Sequence, residues 1–487
     1  MSTHFDVLII GAGLSGIGAA CHLQRDCPGK TYAILEGRQV MGGTWDLFRY
    51  PGVRSDSDMF TLGYVFRPWR EAKSIADGAS ILNYIRETAE AHGIDRKIRY
   101  GHRVRSASWS SADAAWTVEV DSGADPLVFT CRFLFTCTGY YDYADGYVPE
   151  FPGRARFVGR IVHPQQWPED LDYAGKRVVV IGSGATAITL VPAMAKTAGH
   201  VTMLQRSPTY VVSLPAEDRL ANRLRQRLPA GLAYRLIRWR NVLLGMFFYE
   251  LARRRPERMK ARILGWARRH LGPDYDVVTH FTPRYNPWDQ RLCLVPDADL
   301  FRAIRDGRVS VATDQIETFT ETGIRLRSGA TLPADVIVTA TGFQLQLMSG
   351  MRIAVDGDLV DLSKALTYKG FMYGNVPNLA SAFGYTNASW TLKSDLTSGY
   401  VCRLLNYMDR HGYVSCTPHE DGSARRMPLL SFTSSYVRRG IGQFPEQGEH
   451  APWRVRQNYL LDLIDTKLKP LDDGVMRFAR AAPASRA

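Results

Sequence analysis

Two glycine-rich turns in the chain have the residue spacing that binds phosphate groups. In the first, Gly11, Gly13 and Gly16 follow the apolar run FDVLII and open a helical pattern. The first glycine permits a tight turn, the second lets a pyrophosphate approach the backbone, and the third allows close packing of helix on strand. Glu36 ends the next apolar run, 20 residues after Gly16, where a carboxylate can accept both ribose hydroxyls. This region is predicted to bind a dinucleotide, and a glycine turn without a ligand is the alternative.

The second turn repeats the design but has no acid after its second strand. The segment KRVVVIGSGATAITL is followed by the strand pattern HVTML and then by QRSP. Arg206 and Ser207 can hold a 2′-phosphate through charge-assisted hydrogen bonds, whereas Gln205 carries no charge to repel it. We therefore predict NADPH rather than NADH here, with solvation of the strand end by Arg206 as the alternative. The residues predicted to bind this cofactor are Gly182, Ser183, Gly184, Ala185, Thr186, Ala187, Arg206 and Ser207.

Strand and helix patterns alternate along the chain, which indicates an α/β protein with two Rossmann-like domains. The similar segments TCTGY and TATGF, at residues 136–140 and 339–343, each follow an apolar strand. They are predicted to be the points where the chain leaves the first domain and returns, so that the second domain is inserted into the first. Turn-rich stretches place the first domain at residues 1–145 and 336–475, the second at 146–335, and a flexible tail at 476–487.

Composition restricts the classes of function. The 487 residues lack an apolar run long enough to span a membrane and an N-terminal signal pattern, so the protein is predicted to be cytoplasmic. Its seven cysteines are scattered and never spaced as CxxC. This pattern suits a reducing compartment and argues against a zinc site, a metal ligand set or a dithiol redox centre.

The net charge of +13 comes from one segment. Residues 219–270 contain 15 Lys and Arg against two Glu, and their apolar residues recur at helical spacing. A basic helical insertion is therefore predicted at about residues 215–280. A solvated face is one interpretation; an interfacial helix on anionic lipid is another, because Trp239, Phe247 and Phe248 lie among the arginines. No recognisable nucleic-acid-binding motif is present.

Two longer segments resemble known fingerprints. FVGRIVHPQQWPED matches the pattern FxGxxxHxxxWP of class B flavoprotein monooxygenases, specifically Baeyer–Villiger monooxygenases. GGTWDLFRYPGVRSD matches their flavin-site pattern. The matching residues are Phe157, Gly159, His163, Trp167 and Pro168 in the first, and Gly42, Gly43, Trp45, Tyr50, Pro51, Gly52 and Asp56 in the second. The first fingerprint is expected to pack between the domains, so no chemistry is assigned to it.

This resemblance implies FAD in the first domain and NADPH in the second. It further implies that O₂ and a C4a-peroxyflavin convert hydrophobic ketones to esters or lactones, and that sulfides or thioamides are oxidised as well. An N- or S-oxygenating flavin-containing monooxygenase is the alternative, and the ending Trp167–Pro168 favours the first reading. A disulfide reductase would need a dithiol, and a basic scaffold protein would bind no flavin.

The resemblance also assigns roles to single residues. Arg291, in PWDQRLCL, is implied to stabilise the anionic oxygen species because an arginine stays protonated, and Asp56 to orient it. Gln290 stands where many relatives have a lysine for the 2′-phosphate, so the NADPH preference depends on Arg206 and Ser207. The FAD contacts carried over are Ser15, Glu36, Thr44, Trp45, Asp46, Leu47 and Val104. Asp56 is also implied to tune the flavin site, and Arg54 and Ser55 are placed near the nicotinamide.

Overall fold

The computed structural model describes residues 3–123, 126–290, 292–430 and 432–481. Its N-terminal part alternates strands with helices. Strands β1 to β7 are His4–Ile10, Tyr32–Leu35, Ile98–Arg99, Arg103–Ser110, Ala115–Asp121, Leu127–Thr136 and Tyr141–Gly146. Helices α1 to α4 are Leu14–Asp26, Thr44–Leu47, Met59–Leu62 and Gly78–Ala91.

The middle part contains a second alternating unit and most of the predicted basic helices. Strands β8 to β17 are Arg160–Val162, Arg177–Ile181, His200–Gln205, Val211–Leu214, Cys293–Pro296, Val309–Thr313, Ile316–Thr320, Gly323–Leu326, Thr331–Pro333 and Val336–Thr339. Helices α5 to α10 are Ala185–Met194, Arg219–Arg227, Ala230–Arg254, Pro256–Leu271, Val277–Phe281 and Asp299–Arg305. Of these, α6 to α9 occupy the predicted helical insertion.

The C-terminal part returns to short strands and one long helix. Strands β18 to β27 are Phe343–Leu345, Arg352–Val355, Asp358–Val360, Thr367–Tyr368, Met372–Tyr373, Leu379–Ser381, Tyr413–Pro418, Arg426–Pro428, Glu446–Gly448 and Met476–Arg480. Helices α11 to α13 are Trp390–His411, Ser435–Gly440 and Tyr459–Leu463, and a π-helix, Ile464–Leu468, continues α13. Within the described ranges, no helix is both long and apolar enough to cross a bilayer.

Both ends of the chain build the largest sheet. Its described strands run in the order β20-β19-β4-β5-β6-β1-β2-β3, and β23, β22 and β21 extend from β6. β1 pairs in parallel with β2 and with β6, so the carboxyl ends of these three strands meet at one edge. Side chains of α1 and α11 pack together in the core on one face. The carboxyl edge of such a sheet is where ligands bind in doubly wound folds.

The middle part alone builds the second sheet. Its order is β13-β10-β9-β17-β8, and each of these pairings is parallel. All five strands lie between β6 and β19 of the first sheet, so this unit is inserted in the other. The predicted α/β class with two Rossmann-like units is confirmed.

Two features differ from the predicted domain boundaries. The second sheet includes β17, Val336–Thr339, and therefore continues beyond the predicted end at residue 335. The predicted flexible tail, 476–487, is corrected in part: Met476–Arg480 pairs with β24, because Met476 enters the core and the ring of Phe478 stacks on Tyr413. Residues 482–487 lie outside the described residues.

Candidate active site

The first glycine turn joins β1 to α1 without room for side chains. Gly11 has φ +102°, and a Cβ there would lie 2.7 Å from the carbonyl oxygen of Cys137. On Gly16 a Cβ would lie 1.9 Å from the oxygen of Gly11, so α1 packs directly on the turn. The N–H of Gly11 donates to the oxygen of Leu35 at 2.8 Å, which ties the turn to the end of β2. This arrangement leaves the start of α1 facing the carboxyl edge of the sheet.

Glu36 lies beside this turn in a fixed orientation. Its carboxylate accepts hydrogen bonds from the N–H of Ala12 at 2.8 Å and the N–H of Arg38 at 2.9 Å. Burial raises the pKa of Glu36, and the two N–H donors oppose that shift. Glu36 and Val104 both line a cavity of about 290 Å³ that reaches Gly13. Glu36 therefore lies at this end of the cavity, where its contact with a ribose stays a prediction.

A second cavity, of about 270 Å³, adjoins the first. Both are lined by Gly13, Gly43, Cys137 and Tyr143, so they form one cleft. The backbones of Gly13 and Gly43 approach each other closely, because a Cβ added to Gly43 would lie 3.1 Å from the Cα of Gly13. The predicted residues of the N-terminal part that line this second cavity are Gly13, Ser15, Thr44, Trp45, Arg54, Ser55 and Asp56.

Aromatic side chains form a wall of this second cavity. Trp390, the first residue of α11, donates its indole N–H to the hydroxyl of Ser15 at 2.8 Å and stacks on Tyr140 at 5.3 Å between ring centroids. Phe383 packs against both rings at 5.4 Å. Sequence reasoning assigned none of these three rings, although the segment GYTNASW shows aromatic residues next to the start of a helix. The cavity is therefore apolar on this side.

The second glycine turn opens onto the same cavity. Ala185 and Thr186, at the start of α5, line it together with residues of the first part. Burial raises the pKa of Tyr50 to about 12, against the effect of a hydrogen bond with Thr186. A Cβ on Gly52 would lie 2.6 Å from the Cβ of Ala193, so the RYPG segment packs directly on α5. The flavin-site motif thus contacts the helix that begins at the second turn.

The end of β10 has one buried side chain, Gln205, which two exposed side chains follow. Gln205 is 2% exposed, and its amide donates to the oxygen of His280 and to the hydroxyl of Thr313, each at 2.8 Å. Arg206 and Ser207 are exposed, and the hydroxyl of Ser183 donates to the oxygen of Ser207 at 3.0 Å. No carboxylate follows β10 at the position that Glu36 occupies after β2.

Arg54 is fixed by the inserted unit. Its guanidinium pairs with the carboxylate of Asp299, the first residue of α10, at 2.5 Å. These side chains are 12% and 25% exposed, so the pair is largely removed from water. A charged group that lines the cavity is thereby oriented by the other unit of the molecule.

Several predicted residues lie away from the two cavities or outside the description. The buried carboxylate of Asp46 pairs with Arg38 at 2.7 Å and Arg86 at 3.4 Å, and Leu47 packs against the core of the inserted unit. Both side chains are thus held by contacts within the protein, and their role as FAD contacts stays a prediction. Arg291 lies outside the described residues. Among the predicted site residues that the structure describes, those that line neither cavity are Gly16, Asp46, Leu47, Gly182, Ser183, Gly184, Ala187, Arg206 and Ser207.

The fingerprint segment, residues 157–168, contains β8, the edge strand of the second sheet beside β17. The ring of His163 lies against Gly146, where an added Cβ would be 1.9 Å from its Cε1. Gln165 donates its side-chain amide to the oxygen of Asp142 at 2.8 Å, and Trp167 packs against the core of the inserted unit. Burial lowers the pKa of His163. The segment thus contacts both units, as expected of a connector.

Comparison with known proteins agrees with this geometry. The flavin-binding monooxygenase-like family matches residues 73–239, and the NAD(P)-binding Rossmann-like domain matches residues 9–70. The FAD-containing monooxygenase EthA of Mycobacterium tuberculosis is 55% identical over 486 residues, which cover 99% of each chain.

Solved structures give the same result for the fold. An oxidised steroid monooxygenase bound to NADP is 26% identical, with a TM-score of 0.72 over 86% of this chain and 88% of that one. An open structure of cyclohexanone monooxygenase, 21% identical, has the same fold with a TM-score of 0.71 over 86% and 91% of the two chains. From the identity to EthA over nearly the whole chain, the protein belongs to the family of FAD-containing monooxygenases.

Proposed function

We propose that this monooxygenase is of the Baeyer–Villiger type: it uses NADPH and O₂ to convert hydrophobic ketones to esters or lactones, with water and NADP⁺ as the other products. The observation that carries the proposal is the single cavity lined from both glycine turns, by Gly13 and Ser15 on one side and by Ala185 and Thr186 on the other. Electron transfer between two cofactors requires that their reactive ends meet in one place.

The residues of the cleft fit FAD. The cavity at Glu36 suits the adenosine end, the turn at Gly13 the pyrophosphate, and the cavity at Trp45 the flavin ring. The close approach of Gly13 and Gly43 leaves backbone rather than side chains beneath the ligand. When bound, the flavin accepts a hydride from NADPH and activates O₂ for transfer of one oxygen atom.

The second turn fits NADPH through different residues. Arg206 and Ser207 are exposed beside the turn, and Gln205 is turned into the core, so no carboxylate opposes a 2′-phosphate. The steroid monooxygenase of related fold is described as bound to NADP. We assign the 2′-phosphate to Arg206 and Ser207, and the nicotinamide end to the cavity beside Arg54 and Ser55.

Arg291 and Asp56 are the proposed catalytic residues. Asp56 lines the cavity, and Arg291 would stabilise the negative charge on oxygen that is activated at the flavin. The aromatic wall of Tyr140, Phe383 and Trp390 would exclude water and favour apolar substrates. Sulfides or thioamides that enter the same cavity would be oxidised as well.

The test combines ¹⁸O₂ labelling with an arginine variant. We expect a hydrophobic ketone to give an ester that carries one labelled oxygen per NADPH consumed. In Arg291→Ala the ester should fall by roughly 100-fold, whereas anaerobic flavin reduction by NADPH should persist. Arg284→Ala, an exposed arginine of the same segment, should behave as wild type. Exclusive oxidation of amines or sulfides, with no ester, would favour the N- or S-oxygenating alternative.

The cellular setting is part of the same proposal. All seven cysteines are buried and none forms a disulfide, which suits the cytoplasm. Besides O₂ and a small hydrophobic substrate, we expect no nucleic-acid partner, and we place the basic helices in peripheral contact with a membrane.

A further inference from the structure

Helix α7 carries an apolar stripe on its outer face. Leu232, Leu236, Trp239, Leu243 and Phe247 are 40% to 60% exposed. Their spacing of four, three, four and four residues places them on one side of the helix. At 1.5 Å per residue the stripe is about 22 Å long. Soluble surfaces expose single apolar residues, but a continuous row of this kind is typical of an interaction surface.

The inner face of α7 is firmly attached to the protein. Arg238 is 6% exposed, and its guanidinium donates to the carbonyl oxygens of Phe60 and Gly63, each at 2.8 Å. Tyr234 donates its hydroxyl to the oxygen of Tyr64 at 2.9 Å. The outer stripe is therefore presented in a fixed orientation.

A second element extends this apolar surface. Leu461 of α13, and Ile464 and Leu468 of the π-helix, are 42%, 41% and 71% exposed at a spacing of three and four residues. The rings of Tyr459 and Trp239 contact each other at 5.9 Å between centroids, so α13 adjoins the middle of α7. We call the eight exposed residues of the two elements the apolar face: Leu232, Leu236, Trp239, Leu243, Phe247, Leu461, Ile464 and Leu468.

Positive charge is concentrated in the segments that carry the apolar face. Residues 219–270 contain 15 Lys and Arg against two Glu. Arg223, Arg227, Arg235 and Lys467 are near it in the sequence, and none of them has a carboxylate partner among the residues that the structure describes. An apolar centre with unpaired cations at its margin is the composition that binds an anionic membrane surface.

We propose that the apolar face inserts into the interfacial layer of an anionic lipid bilayer and holds the enzyme on the membrane without spanning it. Charge decides between this occupant and a second copy of the chain. A symmetric dimer through α7 would bring two equally cationic margins together, which opposes association. Anionic lipid headgroups neutralise the same margins.

The two elements of the apolar face also support the wall of the candidate active site. Val242 and Met246, on the inner side of α7, pack in one cluster with Tyr385. Asp462 of α13 accepts a hydrogen bond from the hydroxyl of Tyr385 at 2.7 Å. Tyr385 lines the cavity that we assign to the flavin ring and substrate. A substrate dissolved in the bilayer would thus be close to its site, a consequence that depends on the proposed function, whereas membrane binding does not.

Sedimentation with lipid vesicles tests the proposal on the full-length holoenzyme. We expect binding to vesicles of equal amounts of phosphatidylglycerol and phosphatidylcholine, weak binding to phosphatidylcholine alone, and release at high salt. The triple variant Leu236→Ser, Leu243→Ser, Phe247→Ser should bind the anionic vesicles at least about ten-fold more weakly. A matched triple variant at apolar residues exposed elsewhere, Val128→Ser, Val278→Ser, Leu359→Ser, should bind as wild type.

Flavin content and thermal unfolding of both variants establish that they are folded. Equal binding by wild type and the α7 variant, or no binding by wild type, would overturn the proposal. A dimer in sedimentation velocity that the α7 variant abolishes, without vesicle binding, would assign the face to a second copy instead. None of these readouts needs turnover, so failure of the oxygenation chemistry would leave the result intact.

Discussion

Glu36 follows β2 and Gln205 ends β10, the corresponding strands of the two Rossmann-like units, yet their side chains have different surroundings. The Glu36 carboxylate lines a cavity, and the Gln205 amide is buried against His280 and Thr313. The sequence predicted the first because the glycine turn and its acid are close along the chain. Gln205 was predicted only to lack a charge, because its partners are 75 and 108 residues away.

Glu36→Gln should weaken FAD binding. The two carboxylate oxygens accept from the N–H groups of Ala12 and Arg38, and a glutamine would present an amide N–H to one of these donors. We expect the dissociation constant of FAD to rise by roughly ten-fold or more. Titration of the apoprotein with FAD, followed by quenching of flavin fluorescence, measures this. Glu87→Gln, an exposed glutamate that lines neither cavity, is the matched control; equal affinities for the two variants would contradict the assignment.

At the scale of elements, helices with strong periodicity were predictable and long-range pairings were not. The helices of residues 219–270 appear where the apolar spacing placed them. The stretch around YDYADG was interpreted as a turn-rich boundary, but it contains β7, which pairs antiparallel with β18. Its polar residues give no strand signal of their own, because the pairing joins segments about 200 residues apart.

The contact between the RYPG segment and α5 should control electron transfer. A Cβ on Gly52 would lie 2.6 Å from Ala193 and 2.9 Å from the oxygen of Thr189, so Gly52→Ala must displace the helix that begins at the second turn. A shift of the order of 1 Å can slow a reaction by ~100-fold. We expect flavin reduction by NADPH, measured anaerobically by stopped-flow absorbance, to slow by ten-fold or more on this scale.

Gly93→Ala is the control for Gly52→Ala, because it separates the effect of steric crowding from the effect of backbone strain. Gly52 and Gly93 both have positive φ, +78° and +62°, but an added Cβ at Gly93 meets no atom within 4 Å. Each alanine variant should lose about 1 kcal/mol of stability from the unfavourable backbone conformation. Only Gly52→Ala should slow flavin reduction, and similar rates in both variants would remove the role we give to this contact.

The connector segment should make stability depend on pH. Burial lowers the pKa of His163, so the folded state binds fewer protons than the unfolded state near pH 6.5. Its contribution to stability is therefore complete above the unfolded pKa and is lost as the pH falls through it toward the folded pKa. When the pH is lowered from about 7.5 to about 5.5, the unfolding temperature of His163→Gln should fall less than that of wild type.

The pKa of His22 is shifted in the opposite direction, so the effect of His22 on stability must be separated from that of His163. Burial lowers its pKa, but hydrogen bonds with Asp26 and Asp395 outweigh this and raise it. Its contribution is retained at low pH and lost as the pH rises. Because His22 is present in both proteins, the difference between wild type and His163→Gln isolates His163. Parallel curves of unfolding temperature against pH would show that His163 has the same pKa in the folded and unfolded states, which would contradict the lowering by burial.

For the whole molecule, insertion of one Rossmann-like unit into the other could be predicted from the paired segments TCTGY and TATGF. The interface between the units could not, because it depends on side chains that are distant in sequence. Arg54 and Asp299 are 245 residues apart and form an ion pair at 2.5 Å. The packing of Leu47 against the core of the inserted unit likewise joins residues that are distant in sequence.

Breaking the Arg54–Asp299 pair should weaken the coupling between the two units. The side chains are 12% and 25% exposed, so Asp299→Asn leaves a largely buried guanidinium without its countercharge. The unfolding free energy should fall by ~2 kcal/mol, less than for a fully buried pair because part of the charge is solvated. Denaturant titration followed by tryptophan fluorescence and by flavin release should give midpoints that separate in the variant and coincide in wild type. Glu317→Gln breaks an exposed pair with Arg325 inside one unit and should cost less than about 1 kcal/mol, with coincident midpoints. If Asp299→Asn behaves like Glu317→Gln, the two units are held together by contacts other than this ion pair, and the RYPG–α5 contact becomes the remaining candidate.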